Sequence, residues 1–154
     1  MRVALDSNVL LYAAGVARTT EDQDKAMIAR SLIEQLSENS QIILPFQVLG
    51  ECYHVLRRNG RRGEDCRSIL ESWRRRFALA GSDETAFLAA IDLATDHGLQ
   101  FWDSLIISVA AGADCRLLIS EDLQPGFSWR GVVVVNPFAN ELDLRLARLL
   151  ENPV

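Results

Sequence analysis

The chain has 154 residues, 49% of them hydrophobic, and a formal net charge of −5, which fits one globular core and excludes a disordered chain. No apolar run approaches the ~18 residues of a membrane-spanning helix, and Asp6 and Asn8 interrupt any signal-peptide core. Three widely spaced cysteines (Cys52, Cys66, Cys115) exclude a disulfide framework and suit reduced thiols in a cytoplasm, and two histidines are too few for a zinc cluster.

In chain order, Val3 to Leu5 reads as a short buried strand closed by Asp6. Asp6-Ser7-Asn8 then turns into the apolar segment Val9 to Tyr12. Thr20 with Gln23 forms a capping box for a helix to about Leu36, with Ala29, Leu32, Ile33 and Leu36 on one stripe. Ile42 to Leu44 is a second strand, stopped by Pro45. A helix from about Phe46 to Arg58 follows, ended by Asn59-Gly60. The next helix, about Glu64 to Arg76, carries Cys66, Ile69, Leu70, Trp73 and Phe77 at helical spacing.

Ser82 caps another helix that Gly98 ends. Asp103 starts a nearly all-apolar helix through Ala113, which must be central. Leu117 to Ile119 and Val132 to Val135 are strands, and Asn140 with Asp143 marks a helix start. Strands alternating with helices predict an α/β fold over residues 1–154: one domain with a mostly parallel central sheet, flanked by helices on both faces.

Four carboxylates stand at the edges of buried segments: Asp6, Glu51, Asp103 and Asp122. Acids there are costly unless paired, hydrogen-bonded or neutralised by a metal. Asp6 and Asp122 follow strands, where α/β sheets bind ligands. Asp103 sits at a helix N-terminus, which favours an anion. On its helix, Glu51 lies about 60° from Val48 and about 40° from Val55, at the rim of the buried stripe. Singly, each acid also reads as a turn former, a cap or a surface charge. Gathered together, all-oxygen ligands select Mg²⁺ or Mn²⁺.

Eight of the 15 arginines lie between Arg57 and Arg76, giving that window +5 and the rest of the chain −10. An arginine band suits phosphate contacts, and Arg57, Arg61 and Arg62, together with Asn8, are the substrate-binding candidates; a solvated helix face is the plainer reading of the band. Trp73, Phe77 and Phe87 read as core. Trp102 reads as core too, with base stacking as its other reading. His54 projects about 240° from Val48, away from the buried face, and needs no catalytic role.

The segments Asp-Ser-Asn-Val-Leu-Leu-Tyr-Ala (6–13), Pro-Phe-Gln-Val-Leu-Gly-Glu-Cys-Tyr (45–53), Phe-Trp-Asp-Ser-Leu-Ile (101–106), Leu-Leu-Ile-Ser-Glu-Asp-Leu (117–123) and Asn-Pro-Phe (136–138) resemble the PIN domain. They resemble in particular the VapC-type ribonuclease toxins of toxin–antitoxin pairs. The resemblance spans essentially the whole chain. It implies that Asp6, Glu51, Asp103 and Asp122 form the family's acidic quartet, with Asp6 and Asp103 the principal Mg²⁺ ligands and Ser7 and Asn8 supporting the first acid. It further implies a homodimer, a cognate antitoxin and an RNA substrate. Glu121, beside Asp122, competes for the fourth acidic role.

A haloacid-dehalogenase-like phosphatase also places an aspartate after its first strand. It has a second aspartate where this chain has Asn8, and a later lysine, whereas the sole lysine here is Lys25. A response-regulator receiver fails on the same missing lysine. The rival of another class is a PIN-like module that binds RNA or protein without cleaving.

Overall fold

The computed structural model describes residues 1–17 and 19–151. Six strands form one sheet: β1 (Arg2–Leu5), β2 (Gln41–Pro45), β3 (Ala78–Ala80), β4 (Leu117–Ile119), β5 (Ser128–Trp129) and β6 (Val132–Val135). Their order is β3-β2-β1-β4-β6-β5, with every neighbouring pair parallel except the β5–β6 hairpin. The helices are α1 (Ser7–Ala13), α2 (Thr20–Asn39), α3 (Phe46–Arg58), α4 (Gly63–Arg76), α5 (Glu84–His97), α6 (Phe101–Gly112) and α7 (Leu144–Glu151).

The chain winds outward from β1 through β2 to β3, then returns across the sheet to β4. Right-handed crossovers therefore put α1 to α4 on one face and α5 and α6 on the other. The direction of winding reverses between β1 and β4. There the connections leaving the two strands part, which opens a crevice at their carboxyl ends. The expected mostly parallel sheet with helices on both faces is what forms.

Packing explains each element. Val3, Ala4 and Leu5 of β1, and Leu118 and Ile119 of β4, are completely buried at the centre of the sheet. The α2 stripe of Ala29, Leu32, Ile33 and Leu36 is buried, as are Val48, Cys52 and Leu56 of α3. Helix α6 is buried without a break from Ser104 to Ala110, the central position its apolar sequence demands. The cysteines are free and buried.

Several expected boundaries shift. The segment after Asp6 is a seven-residue helix, α1, too short to show a helical period. The α2 box is built one residue earlier than expected: Thr19 Oγ1 accepts from Asp22 N and Asp22 Oδ2 from Thr19 N, both at 3.1 Å. Asp83, not Ser82, caps α5 by accepting from Ala86 N at 2.8 Å; both residue types cap well, so the sequence alone leaves the one-residue choice open. Helix α6 starts at Phe101, which moves Asp103 into its first turn. Helix α7 starts at Leu144 rather than Asn140, with Asp143 Oδ1 accepting from Arg145 N.

Strand β3 was not expected, because Ala-Leu-Ala has little strand propensity. Nor was β5, whose hairpin turns through Arg130 and Gly131, both at positive φ (45° and 86°). A tight hairpin turn with two left-handed residues is normally signalled by Asn-Gly. Two aromatic assignments are corrected as well. Trp73 and Phe77 pack on the core, but Phe87 is 48% and Trp102 61% exposed.

Candidate metal-binding active site

The crevice is built first by backbone. Asp6 N donates to Ile119 O and Ser120 N to Val135 O, both at 3.0 Å, extending the ladder just past the strand ends. These bonds bring residues 6 and 120 side by side. Asp6 is also the N-cap of α1, its Oδ1 accepting from Ser7 N at 2.7 Å. It is a turn former as well as a cleft residue, so the two readings of Asp6 are compatible.

Ser120, completely buried, organises the centre. Its hydroxyl donates to Asp6 Oδ2 at 2.6 Å and accepts from Asp122 N and Leu123 N, both at 3.2 Å. Asn8 Nδ2 stands between two acids, 3.3 Å from Asp6 Oδ2 and 3.2 Å from Asp122 Oδ2. Asp6 and Asp122 thus flank one amide nitrogen. Removing the Ser120 hydroxyl should cost about 1–3 kcal/mol, because a buried carboxylate loses its donor and two N–H groups lose their acceptor. Urea denaturation of Ser120→Ala measures this, and an unchanged midpoint would show that the network carries no stability.

Glu51 and Asp103 approach from α3 and α6. Gln47 joins these helices, donating to Glu51 Oε1 at 3.0 Å and to the Trp102 carbonyl at 3.1 Å. Gln47 went unnoticed in the sequence, although its i, i+4 spacing from Glu51 is a readable signal. An open cleft of about 610 Å³ borders Glu51, lined by Ser7, Gln47, Gly50, His54, Val55 and Trp102. His54 therefore faces the cleft rather than lying clear of it.

Electrostatics tie the acids together. Burial pushes the Asp6 carboxyl above its ordinary range; hydrogen bonds from Ser120 and Ser7 oppose this, and the charges of Glu51 and Asp122 add to it. Burial also raises Asp103, again with help from Glu51 and Asp122. The expected stabilisation of Asp103 by its helix N-terminus is therefore outweighed. No salt bridge among the described residues reaches any of the four acids.

Among the described residues, no three His, Cys, Asp or Glu side chains stand close enough together, as placed, to hold an ion. The donor chemistry nevertheless fits a hard divalent cation. The candidate ligands are all oxygen, mutually repelling and without a basic partner, and one of them, Asp6, is 6% exposed.

Glu121 is engaged elsewhere. Its Oε1 lies 2.7 Å from Lys25 Nζ. Of the two adjacent acids, Asp122 is the one beside Asn8 and Asp6.

The arginine candidates make local contacts. Arg57 Nη1 donates to the Arg61 carbonyl at 2.8 Å, and Arg61 Nη2 to the Ala14 carbonyl at 2.7 Å. Arg62 pairs with Glu64 and Asp65. None of the three lines the cleft beside Glu51.

Solved structures share this architecture. VapBC2 from Rickettsia felis, solved bound to a DNA fragment from its promoter, matches with a TM-score of 0.66 and 18% identity, over 88% of this chain and 98% of that one. A toxin–antitoxin complex from Klebsiella pneumoniae matches at 0.61 and 16%, over 85% and 95%. VapC20 from Mycobacterium tuberculosis, a sarcin–ricin-loop-cleaving toxin, matches at 0.58 and 18%, over 75% and 86%. At such identities the likeness establishes the fold. No curated protein matches the sequence. Residues 3–127, most of the chain, match the PIN domain, and with the fold they frame, the chain belongs to the PIN-domain family.

Proposed function

We propose that this chain is a Mg²⁺- or Mn²⁺-dependent endoribonuclease, a VapC-type toxin held in check by a cognate antitoxin. The observation that carries this reading is that Asp6 and Asp122 flank the Asn8 amide in the crevice between β1 and β4, with the charges of Glu51 and Asp122 acting on both Asp6 and Asp103 and no salt bridge among the described residues to any of the four. The likeness to a toxin–antitoxin complex and to a sarcin–ricin-loop-cleaving toxin supports it.

Asp6, Asp103 and Asp122 would hold the cation, with Glu51 as a further ligand or as the group that positions water. When bound, such an ion orients the phosphodiester, lowers the pKa of an attacking water and stabilises the leaving oxygen. The protein's part is preorganisation. Ser120 and Ser7 N fix Asp6, Asn8 spaces it from Asp122, and Gln47 fixes Glu51 against α6. Exposed Trp102 on the cleft rim offers a face on which an RNA base can stack.

The proposal includes a single domain over residues 1–154, action in the cytoplasm and a homodimer. Exposed Phe87, Leu88 and Ile91 on α5 support the dimer by supplying an apolar face. Sequencing RNA ends after induction in cells tests the activity. Cleavage at defined sites with the wild type, and none with Glu51→Gln, is expected; the same ends from both proteins would refute the assignment.

Arg57, Arg61 and Arg62 remain candidates for steering the RNA backbone, since each guanidinium carries five N–H donors. If Arg61 and Arg62 each contact one phosphate, neutralising both should reduce the salt slope of RNA binding by about 1.4. Filter binding across a salt series reads this. An unchanged slope would assign the band to solvated surface.

A further inference from the structure

Glu121 stands between Ser120 and Asp122 in the loop after β4, and we infer that Tyr12, Lys25 and Glu121 form a positioning clamp that sets where Asp122 points. The inference rests on the metal-site reading above.

Helix α1 grips residue 121 twice. Glu121 N donates to Asn8 Oδ1 at 3.3 Å, and the Tyr12 side chain lies beside the Glu121 carboxylate. Asn8 and Tyr12 are four residues apart and so share one helix face. Lys25, the only lysine in the chain, reaches from α2 to the same carboxylate, with Nζ 2.7 Å from Glu121 Oε1 and 2.9 Å from Glu21 Oε1.

This pair is not an ordinary surface bridge, which does little: its side chains are only 17% and 21% exposed. Lys25 Nζ also lies 5.7 Å from the centre of the Tyr12 ring, and that ring packs edge-on against Phe138.

Two consequences follow for the cleft. Residue 121 is held by backbone and side chain, so its neighbour Asp122 has little freedom to turn from Asn8. Lys25 also neutralises Glu121, which keeps an unpaired carboxylate from standing next to Asp122. Groups that orient metal ligands typically change metal affinity 10- to 100-fold when removed.

Charge and position make opposite predictions here. If Lys25 were merely a nearby cation, Lys25→Met would make the cleft more negative and tighten Mn²⁺ binding. Lys25→Met with Glu121→Gln, which leaves the net charge unchanged, would then bind Mn²⁺ as the wild type does. The clamp predicts that both variants bind Mn²⁺ about tenfold more weakly, and that Lys25→Arg recovers most of the affinity.

Isothermal titration of the full chain with Mn²⁺ alone measures these affinities, and thermal melts identify any variant that has not folded. Tyr12→Phe deletes a single hydroxyl without changing charge and covers that contingency; its affinity should fall about threefold. Tighter binding by Lys25→Met, or wild-type affinity in the double variant and in Tyr12→Phe, would overturn the clamp. A wild-type chain that binds no Mn²⁺ would instead defeat the metal-site reading on which the clamp rests.

Discussion

Asp103→Asn should lower Mg²⁺-dependent RNA cleavage by roughly 10²- to 10³-fold, the equivalent of the several kcal/mol that a metal ion contributes to charge stabilisation. Few substitutions separate chemistry from folding so cleanly. The Asp103 side chain accepts no hydrogen bond and forms no ion pair among the described residues, so asparagine forfeits no contact there. The helix that carries it is secured elsewhere, by unbroken burial from Ser104 to Ala110 and by the Gln47 bond to the Trp102 carbonyl. Asparagine keeps the shape and removes the charge. Cleavage assays with purified protein, beside a circular dichroism spectrum matching the wild type, check the prediction. Undiminished cleavage would remove Asp103 from the site.

The same variant should be more stable than the wild type when no divalent cation is present. Folding raises the Asp103 carboxyl above its ordinary value of 3.8, by burial first and then by Glu51 and Asp122. Asp6 is raised in the same direction. For an acid whose pKa is raised on folding, the native state binds more protons than the unfolded one. Stability is then greatest below the unfolded value and declines as pH rises through the folded value. The metal-free wild type should therefore lose stability from about pH 4 toward neutrality at these two groups.

Asp103→Asn removes part of that loss. After solvent screening, the gain at pH 7 should be of order 1 kcal/mol, about 2–4 °C in melting temperature for a chain of this size. Asp6→Asn should gain less, because its carboxylate also accepts from Ser120 Oγ and Ser7 N, and an amide matches those donors less well. Adding Mg²⁺ should stabilise the wild type and leave Asp103→Asn nearly unchanged. Melts in chelator at pH 5 and pH 7, with and without the ion, measure the whole pattern. A metal-free Asp103→Asn that melts at or below the wild type would show that the acids do not repel.

Most of the candidate site was legible because its residues stand at boundaries between apolar and charged segments. Asp6 and Asp122 follow strands so apolar that no other reading of Val3 to Leu5 or Leu117 to Ile119 was available. Glu51 was placed by simple helical rotation, and its half-buried position on α3 agrees. What escaped depends on partners distant in sequence. Nothing local distinguishes Glu121 from Asp122; what separates their positions is Lys25, 96 residues upstream of Glu121, which pairs with Glu121, and Asn8, which lies beside Asp122. Likewise Trp102 looks like core by composition, yet α6 buries the faces beyond it and leaves the indole at the rim. Strand β3 exists because Ile43 and Leu44 offer Ala78 and Leu79 an open edge, not because Ala-Leu-Ala favours extension.

The most direct test of the account is diffraction from crystals soaked in Mn²⁺, collected at a wavelength where the ion scatters anomalously. An anomalous peak is expected in the crevice between β1 and β4, bound by Asp6 together with Asp103 or Asp122 at about 2.1–2.2 Å. In Asp103→Asn crystals this peak should be lost. A crevice without a peak, or manganese confined to acids elsewhere on the surface, would contradict it.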